Sequence, residues 1–300
     1  MRITSQAMVR SALQNLQANM NRLSELQDKA SSQRAINRPS DDPIATASAI
    51  RVKGEQRALD QYQRNIDDGN GWMATVESSL ASVTQLMNRV RDLTVQGAND
   101  GAMSPDAKEA IAVELESLRD ELLAKANSTY QGRTVFAGNS DAGVAFDAVP
   151  PYGFSGTASD SVQRRIDANT TVRVDADGSS VFGTGTDPES DEVSVFALID
   201  TIAAELRAGV NVSERIAQID TRMGAIREQQ AVVGARQAQL QHAEETNMDR
   251  SVSLEAQRSG IEDVDLARVI LDLQVQQNTY QAALAVTSRV LQPTLMDFLR

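Results

Sequence analysis

The sequence predicts a mainly α protein, a long coiled-coil helical bundle built from both ends of the chain with a small β-rich domain inserted mid-chain. Three observations carry that expectation. A seam of three- and four-residue steps runs from Leu59 to Gly97. Similar, thinner seams recur near both termini. Between them the texture changes to Gly, Ser, Thr and Asp with almost no helical period. Apolar residues at alternating three and four spacing line one face of a helix, whereas polar, Gly-rich stretches with two-residue alternation signal strands and turns.

At the N-terminus, Leu13, Leu16, Met20 and Leu23 form the first short seam. The stretch "AINRPSDDPIATASAI" (35–50) then interrupts the helix. Pro39 disfavours helical backbone at Arg38, so the first helix is expected to end there. Ser40 or Asp42 can cap the next helix, with Pro43 in its first turn, where no N–H is needed. Asp41 and Asp42 are expected against the positive end of that helix. Arg34 and Arg38 stand close enough in sequence to pair with those two carboxylates, which in solvent contributes only ~0–1 kcal/mol. Desolvated by a neighbouring molecule, the same arginines would set register.

Next comes the long seam: Leu59, Tyr62, Ile66, Gly69, Met73, Val76, Leu80, Val83, Met87, Val90, Thr94 and Gly97, nine of the twelve apolar. It ends around "GANDGAMSP", and Ser104-Pro105 reads as the N-cap and first turn of another helix, with Ile111, Leu115, Leu118 and Leu122 on one face up to about Asn127. Within 138–194, "TTVRVDADGSSVFG" alternates around Asp177-Gly178 and predicts a hairpin turning there. Helix resumes with Val195, Leu198, Ile202 and Leu206 on one face and Gly209 as the stop. Ile216, Ile219, Met223, Ile226, Val233 and Leu240 follow in one phase, weakened at Gln230 and Gln237. The last seam is Leu266, Val269, Leu273, Tyr280, Leu284, Leu291 and Leu295. The expected segments are an N-terminal helix of a terminal layer (1–40), two halves of a helical bundle (41–137 and 195–260) around the β-rich segment (138–194), and a C-terminal helix of the terminal layer (261–300).

Composition bounds the chemistry. A formal charge of −12 opposes nucleic-acid binding, which draws its affinity from cations on phosphates. There are no cysteines, hence no disulfide, thiolate metal site or Cys nucleophile. No apolar run is long enough to insert in a membrane, and "MRITSQAMVRSALQNLQ" lacks the apolar core of a cleaved secretory signal. His242, the single histidine, has no second histidine four residues away, as a zinc-peptidase helix requires. Asp175 and Asp177 put Gly178 at the fourth position of a calcium loop that needs glycine at the sixth. "FGTGTD" lacks a third glycine at dinucleotide spacing. No enzyme is predicted, and no cofactor or metal.

"SSQRAINRPSDDPIATASAI" resembles the N-terminal signature of the bacterial flagellin superfamily. "YQGRTVFAGN" followed by "VAFD" is similar to the run that leads into that family's variable domain. "IEDVDLARVILDLQVQQNTYQAALAVTSRVLQPTLMDFL" resembles its closing helix, and "MRIT" is similar to the hook-associated, junction-forming members rather than to filament subunits. The resemblance covers roughly residues 1–140 and 195–300. It implies a structural, non-enzymatic subunit of the bacterial flagellum, a junction ring between hook and filament on which flagellin polymerises. It further implies extracellular location after type III export without a cleaved signal, copies of itself in a ring, contacts with a neighbouring hook-associated protein and flagellin, and an export chaperone at the C-terminal helix. The assembly motif would be Ile36, Asn37, Arg38, Pro39, Ser40, Asp41, Asp42 and Pro43. The polymer- or chaperone-binding face would be Leu266, Val269, Leu273, Tyr280, Leu284, Leu291, Leu295 and Phe298. The alternatives are a filament flagellin and, from a different class, a cytoplasmic helical signalling scaffold, which would not carry a β-rich insertion mid-chain.

Overall fold

A computed structural model describes residues 2–99, 103–156, 161–187, 190 and 192–291. The chain runs α1 (Arg2–Ser32), α2 (Pro43–Gly97), α3 (Pro105–Ala126), β1 (Thr129–Tyr130), β2 (Arg133–Thr134), β3 (Gln163–Arg165), β4 (Thr171–Arg173), α4 (Gly178–Phe182), α5 (Val195–Arg207), α6 (Arg215–Glu262) and α7 (Leu266–Leu291). Long helices at both ends and a few short strands mid-chain match the predicted fold class. Two compact units divide it: Met1–Ala58 with Arg250–Arg300, and Leu59–Asp249.

In the middle unit the long seam behaves as its spacing requires. Eleven of its twelve positions are buried, Tyr62 alone being half-buried. The facing stretch of α6 runs antiparallel and buries Ile219, Met223, Ile226, Val233 and Leu240. The two glutamines that thin its seam reach across it: Gln230 donates to Thr84 Oγ1 (3.1 Å) and Gln237 to Glu77 (2.8 Å). Farther along, Asn247 donates to Gln63 Oε1 (2.8 Å). α3 opens on Ser104, whose hydroxyl accepts from the Ala107 N–H, and buries Ile111, Leu115, Leu118 and Leu122. α3 packs against α5, which ends as predicted. Gly209 takes φ +71°, its N–H donates to Leu206 O and the Val210 N–H to Glu205 O, the two bonds of a Schellman cap.

The segment after α3 closes on this bundle through aromatic rings. Phe146, Phe182 and Phe196 lie with centroids 5.2–5.7 Å apart, and Phe136, Phe154 and Tyr152 surround them. Asn127 holds its edge, accepting from the Ala145 and Phe146 N–H groups and donating to Phe146 O. β1 and β2 form a minimal hairpin whose Gln131 and Gly132 both have positive φ. Its Tyr130 lies against α2 at Gly71, where a Cβ would stand 2.2 Å from the phenol oxygen, and meets Trp72 in a tilted ring contact, centroids 5.6 Å apart and planes at 55°.

The predicted hairpin at Asp177-Gly178 is corrected. Thr171–Arg173 is indeed a strand, but its partner is Gln163–Arg165, which precedes it. Asp177 instead caps α4, accepting from the Ser179 N–H and both serine hydroxyls. A side chain that captures the next amides diverts the backbone from a turn to a helix start.

In the terminal unit, α1 and α7 pair antiparallel. The buried or half-buried row of α7 is Val269, Leu273, Gln276, Tyr280, Ala283 and Thr287, and that of α1 is Val9, Ala12, Leu16, Asn19, Leu23, Leu26 and Ala30. Both predicted seams therefore need correction: Leu16, Leu23, Val269, Leu273 and Tyr280 face the partner, but Leu13, Met20 and Leu284 stand beside the seam, 54%, 46% and 43% exposed. Small or polar residues (Ala12, Asn19, Ala283) occupy the in-phase positions and let the helices approach. Gln276 donates to Asn19 O and Oδ1 (3.2 and 3.3 Å) in the middle of this pair.

Candidate assembly interface

The stop at residues 33–42 is built differently from the expectation. α1 ends at Ser32, six residues before Arg38. Gln33 turns into the left-handed region at φ 58°, its N–H still bonded to Lys29 O. The backbone then pairs with the segment joining α6 to α7. The Ala35 N–H donates to Glu262 O (2.7 Å) and the Val264 N–H donates to Gln33 O (3.3 Å), so that Arg34 and Asp263 stand opposite each other as a single antiparallel backbone bridge. A backbone spent on a strand-like pairing cannot continue an i→i−4 ladder, so the helix stops before its proline is reached.

Beyond it the two aspartates divide the work. Asp42 is the N-cap, its Oδ1 accepting from the Ile44 (3.0 Å) and Ala45 (2.9 Å) N–H groups, with Pro43 as first helical residue. Ser40 makes no such cap. Asp41 is turned away from the helix end where it was expected and accepts from the Asn37 and Arg38 N–H groups (3.2 and 2.8 Å), pinning the loop before Pro39. Among the described residues no ion pair joins Arg34 or Arg38 to either aspartate. Ile36 is half-buried, and Asn37 to Pro43 are exposed.

The start of α2 and the end of α6 are tied within the same unit by the Lys53–Glu262 ion pair and by Gln56 donating to Glu255 (2.9 Å). Between loop and helices lies a pocket of about 170 Å³, lined by Arg34, Ile36, Arg38, Ile50, Lys53 and Glu262 among others. Thr46 Oγ1 is buried in its wall without a hydrogen-bond partner.

α7 opens on Asp265, which accepts from the Ala267 and Arg268 N–H groups. One of its faces pairs with α1. The other leaves Ile270 (48%), Leu271 (62%), Val275 (64%), Leu284 and Val286 (62%) in solvent, with Leu266 at 37%. That is more apolar surface than isolated exposed side chains leave on a solvated helix. Leu295, Phe298 and the side chain of Leu291 lie outside the described residues. The pairing with α1 and the outward face were not separable by spacing alone, because leucines occupy both.

Among the described residues of the middle unit, the buried and part-buried titratable groups sit in structural pairs. Asp200 accepts from Tyr152 Oη (2.6 Å) and pairs with Arg119. Burial and then that hydrogen bond push the Tyr152 phenol above its ordinary value. Asp175 is fully buried, and its oxygens are taken by the Arg173 guanidinium (2.7 and 3.0 Å) and the Val162 N–H (2.8 Å). His242 is exposed on α6. Among the described residues no three His, Cys, Asp or Glu side chains group as a metal site. No described helix is long and apolar enough to cross a membrane.

The bacterial flagellin N-terminal helical region matches residues 3–141, and the bacterial flagellin C-terminal helical region matches residues 216–299. The flagellar hook-associated protein 3 of Salmonella typhimurium is 28% identical over 303 residues, 94% of this chain and 95% of that one. A flagellin of Halalkalibacterium halodurans is also 28% identical, over 87% of this chain and 85% of its own length. Among solved structures, a putative flagellar hook-associated protein from Vibrio parahaemolyticus superposes with a TM-score of 0.67 at 22% identity, covering 74% of this chain and all of that one. FlgL of Xanthomonas campestris superposes at 0.61 and 20% identity, over 69% of this chain and 99% of its own. The motifs around the 33–46 stop and the closing helix are thus parts of matched regions that together span most of the sequence, and the chain belongs to the bacterial flagellin family.

Proposed function

We propose that this chain is a structural subunit of the bacterial flagellum that joins hook to filament. The observation that carries this is the likeness to hook-associated protein 3, 28% identical along 94% of this chain and 95% of the relative, against 26% for a flagellin of Bacillus subtilis that is matched over a similar length. The family consists of structural flagellar components, and the protein works by packing rather than by catalysis. Its copies form a ring on which flagellin polymerises, with a neighbouring hook-associated protein on the other side. Residues 1–40 and 261–300 supply the inner terminal layer, 41–137 and 195–260 the two halves of the helical bundle, and 138–194 the variable segment. Ile36 to Pro43 act as the hinge and assembly motif. The subunit leaves the cell through the flagellar export channel with a chaperone on the closing helix, and works outside it. The exposed apolar face of α7 supports both contacts: one surface serves the chaperone first and neighbouring subunits later. The inward-facing Val269, Leu273 and Tyr280 keep the helix paired with α1, while Leu266 and Leu284 belong to the outward contact; Leu291, Leu295 and Phe298 complete the proposed polymer- and chaperone-binding set.

Deleting the gene in its native organism, imaging the cell surface by electron microscopy and assaying flagellin in the medium tests this. Hooks without filaments, together with abundant free flagellin, is the expected result. Hooks without filaments and without released flagellin would make the chain the filament subunit instead.

A further inference from the structure

The charges of this chain are segregated between its two compact units. Residues 1–58 and 250–300 carry 14 Lys and Arg against 11 Asp and Glu, a net of +3. Residues 59–249 carry 15 against 30, a net of −15. A protein with a formal charge of −12 therefore has a terminal unit of the opposite sign.

Within the terminal unit the excess cations gather at the pocket beside the 33–42 loop. Arg34, Arg38 and Lys53 line it, against one carboxylate, Glu262. Lys53 is neutralised by Glu262. Among the described residues no carboxylate pairs with Arg34 or Arg38; Asp41 and Asp42 each turn one oxygen to a pair of backbone N–H groups instead. The pocket's volume of about 170 Å³ is several times the ~30 Å³ that one water occupies in the liquid. Ile36 and Ile50 give it an apolar side. Thr46 Oγ1 sits buried in its wall with a hydroxyl proton and no acceptor, and an unsatisfied buried polar group points to a missing partner. Two unpaired guanidiniums, an orphan donor and an apolar flank fit a carboxylate carried on a short methylene stem.

We infer that this pocket receives an acidic side chain from the middle unit of a neighbouring copy of the same chain. The charge partition selects the occupant: a second copy offers a −15 surface to a cationic pocket, whereas a second terminal unit offers its own positive sign. The contact is charge-assisted and partly desolvated, so it fixes the register of adjacent subunits. This rests on the reading of the chain as a self-assembling flagellar subunit and names the contact that reading leaves open.

The test uses flagella isolated from cells whose only copy is the full-length wild type, Arg34→Lys/Arg38→Lys, Arg34→Glu/Arg38→Glu or Thr46→Val. The chain is immunoblotted in the flagellar fraction and the medium. The charge-preserving lysine variant is expected to assemble like wild type. The reversed variant is expected in the medium, with flagellar incorporation down by about tenfold or more, and with wild-type circular dichroism after purification. If it fails to fold, Thr46→Val carries the test: it keeps shape and charge, and is expected to make incorporation more salt-sensitive than wild type. Carbodiimide treatment of flagella carrying the lysine variant, with isotopically mixed copies, is expected to couple Lys at 34 or 38 to an Asp or Glu of residues 59–249 in another copy. Normal incorporation of both the reversed and the Thr46→Val chains, or cross-links only within one copy or only to flagellin, overturns the inference and leaves the junction role standing. Absence of the wild-type chain from isolated flagella would overturn both.

Discussion

Removing the carboxylate of Asp175 is the sharpest test of how the middle unit holds its non-helical segment. Asp175 is fully buried and joins three pieces of chain. It pairs with Arg173 through two hydrogen bonds, accepts from the Val162 N–H, and gives its carbonyl to Arg236 of α6 (2.9 Å). In Asp175→Ala the Val162 N–H loses its acceptor, which costs about 1–3 kcal/mol. Arg173 and Arg236 are then left facing each other; burial and next the charge of Arg173 already hold Arg236 below its ordinary value. Breaking a buried ion pair from one side costs about 3–5 kcal/mol, and Arg173, 28% exposed, can regain some water, so about 3 kcal/mol is expected. Asp175→Asn keeps the acceptor and loses the charge, for about 2 kcal/mol. Trp72, the single tryptophan, is 2% exposed in the same unit and reports its unfolding by fluorescence. With a slope of about 2–3 kcal/mol per molar urea, the Asp175→Ala midpoint falls by about 1 M at unchanged slope. Midpoints for both variants within about 0.2 M of wild type would refute the anchoring role.

Two further outcomes follow from the same structure. Gly71→Ala drives a Cβ into the Tyr130 ring and costs about 1–3 kcal/mol, less the ~0.5–1 kcal/mol that alanine returns to a helix, while Gly234→Ala, with nothing within 4 Å of its Cβ, raises the melting temperature by a few degrees. Stability against pH has a definite sign: the hydrogen bond from Arg207 lowers the Glu116 carboxyl and that from Arg91 lowers Asp220, so their contribution is fully present above the ordinary values of 4.5 and 3.8 and is lost as pH falls through the lowered folded values. Both pairs are exposed and contribute little, with the loss confined to pH below those ordinary values, so a melting temperature that fell between pH 7 and 5 would contradict this assignment.

The helices of the middle unit were legible because their signals are local. The seam from Leu59 to Gly97, the Ser104 cap and the Gly209 stop each depend on residues within a few positions. The same is true of Pro43 after Asp42. What misled were places where a distant partner decides. Asp177 looks like a turn until its carboxylate is seen to hold the two serines that follow. Leu13, Met20 and Leu284 are the obvious seam residues by hydrophobicity, yet Ala12, Asn19 and Ala283 are the ones in phase. α1 stops at Ser32 because residues 33–35 pair with 262–264, and no window around Pro39 contains that information. The candidate interface was legible as a motif, not as a geometry. Its eight residues stand together at the loop, but the free arginines became visible only once Asp41 and Asp42 were seen to be occupied elsewhere.

The cross-helix contacts of α2 and α6 also bear on how the middle unit meets a load. Thr84–Gln230, Glu77–Gln237 and Gln63–Asn247 are rungs between antiparallel helices, each matched to one partner. Leucine rows tolerate slippage by one turn, since one methyl group serves as well as the next. Rungs do not, and a slide of about 5.4 Å along the axis would part all three together. The pair therefore resists axial sliding like a ratchet with its pawl engaged, while remaining thinner in apolar contact than a leucine seam and correspondingly easier to peel open from one end.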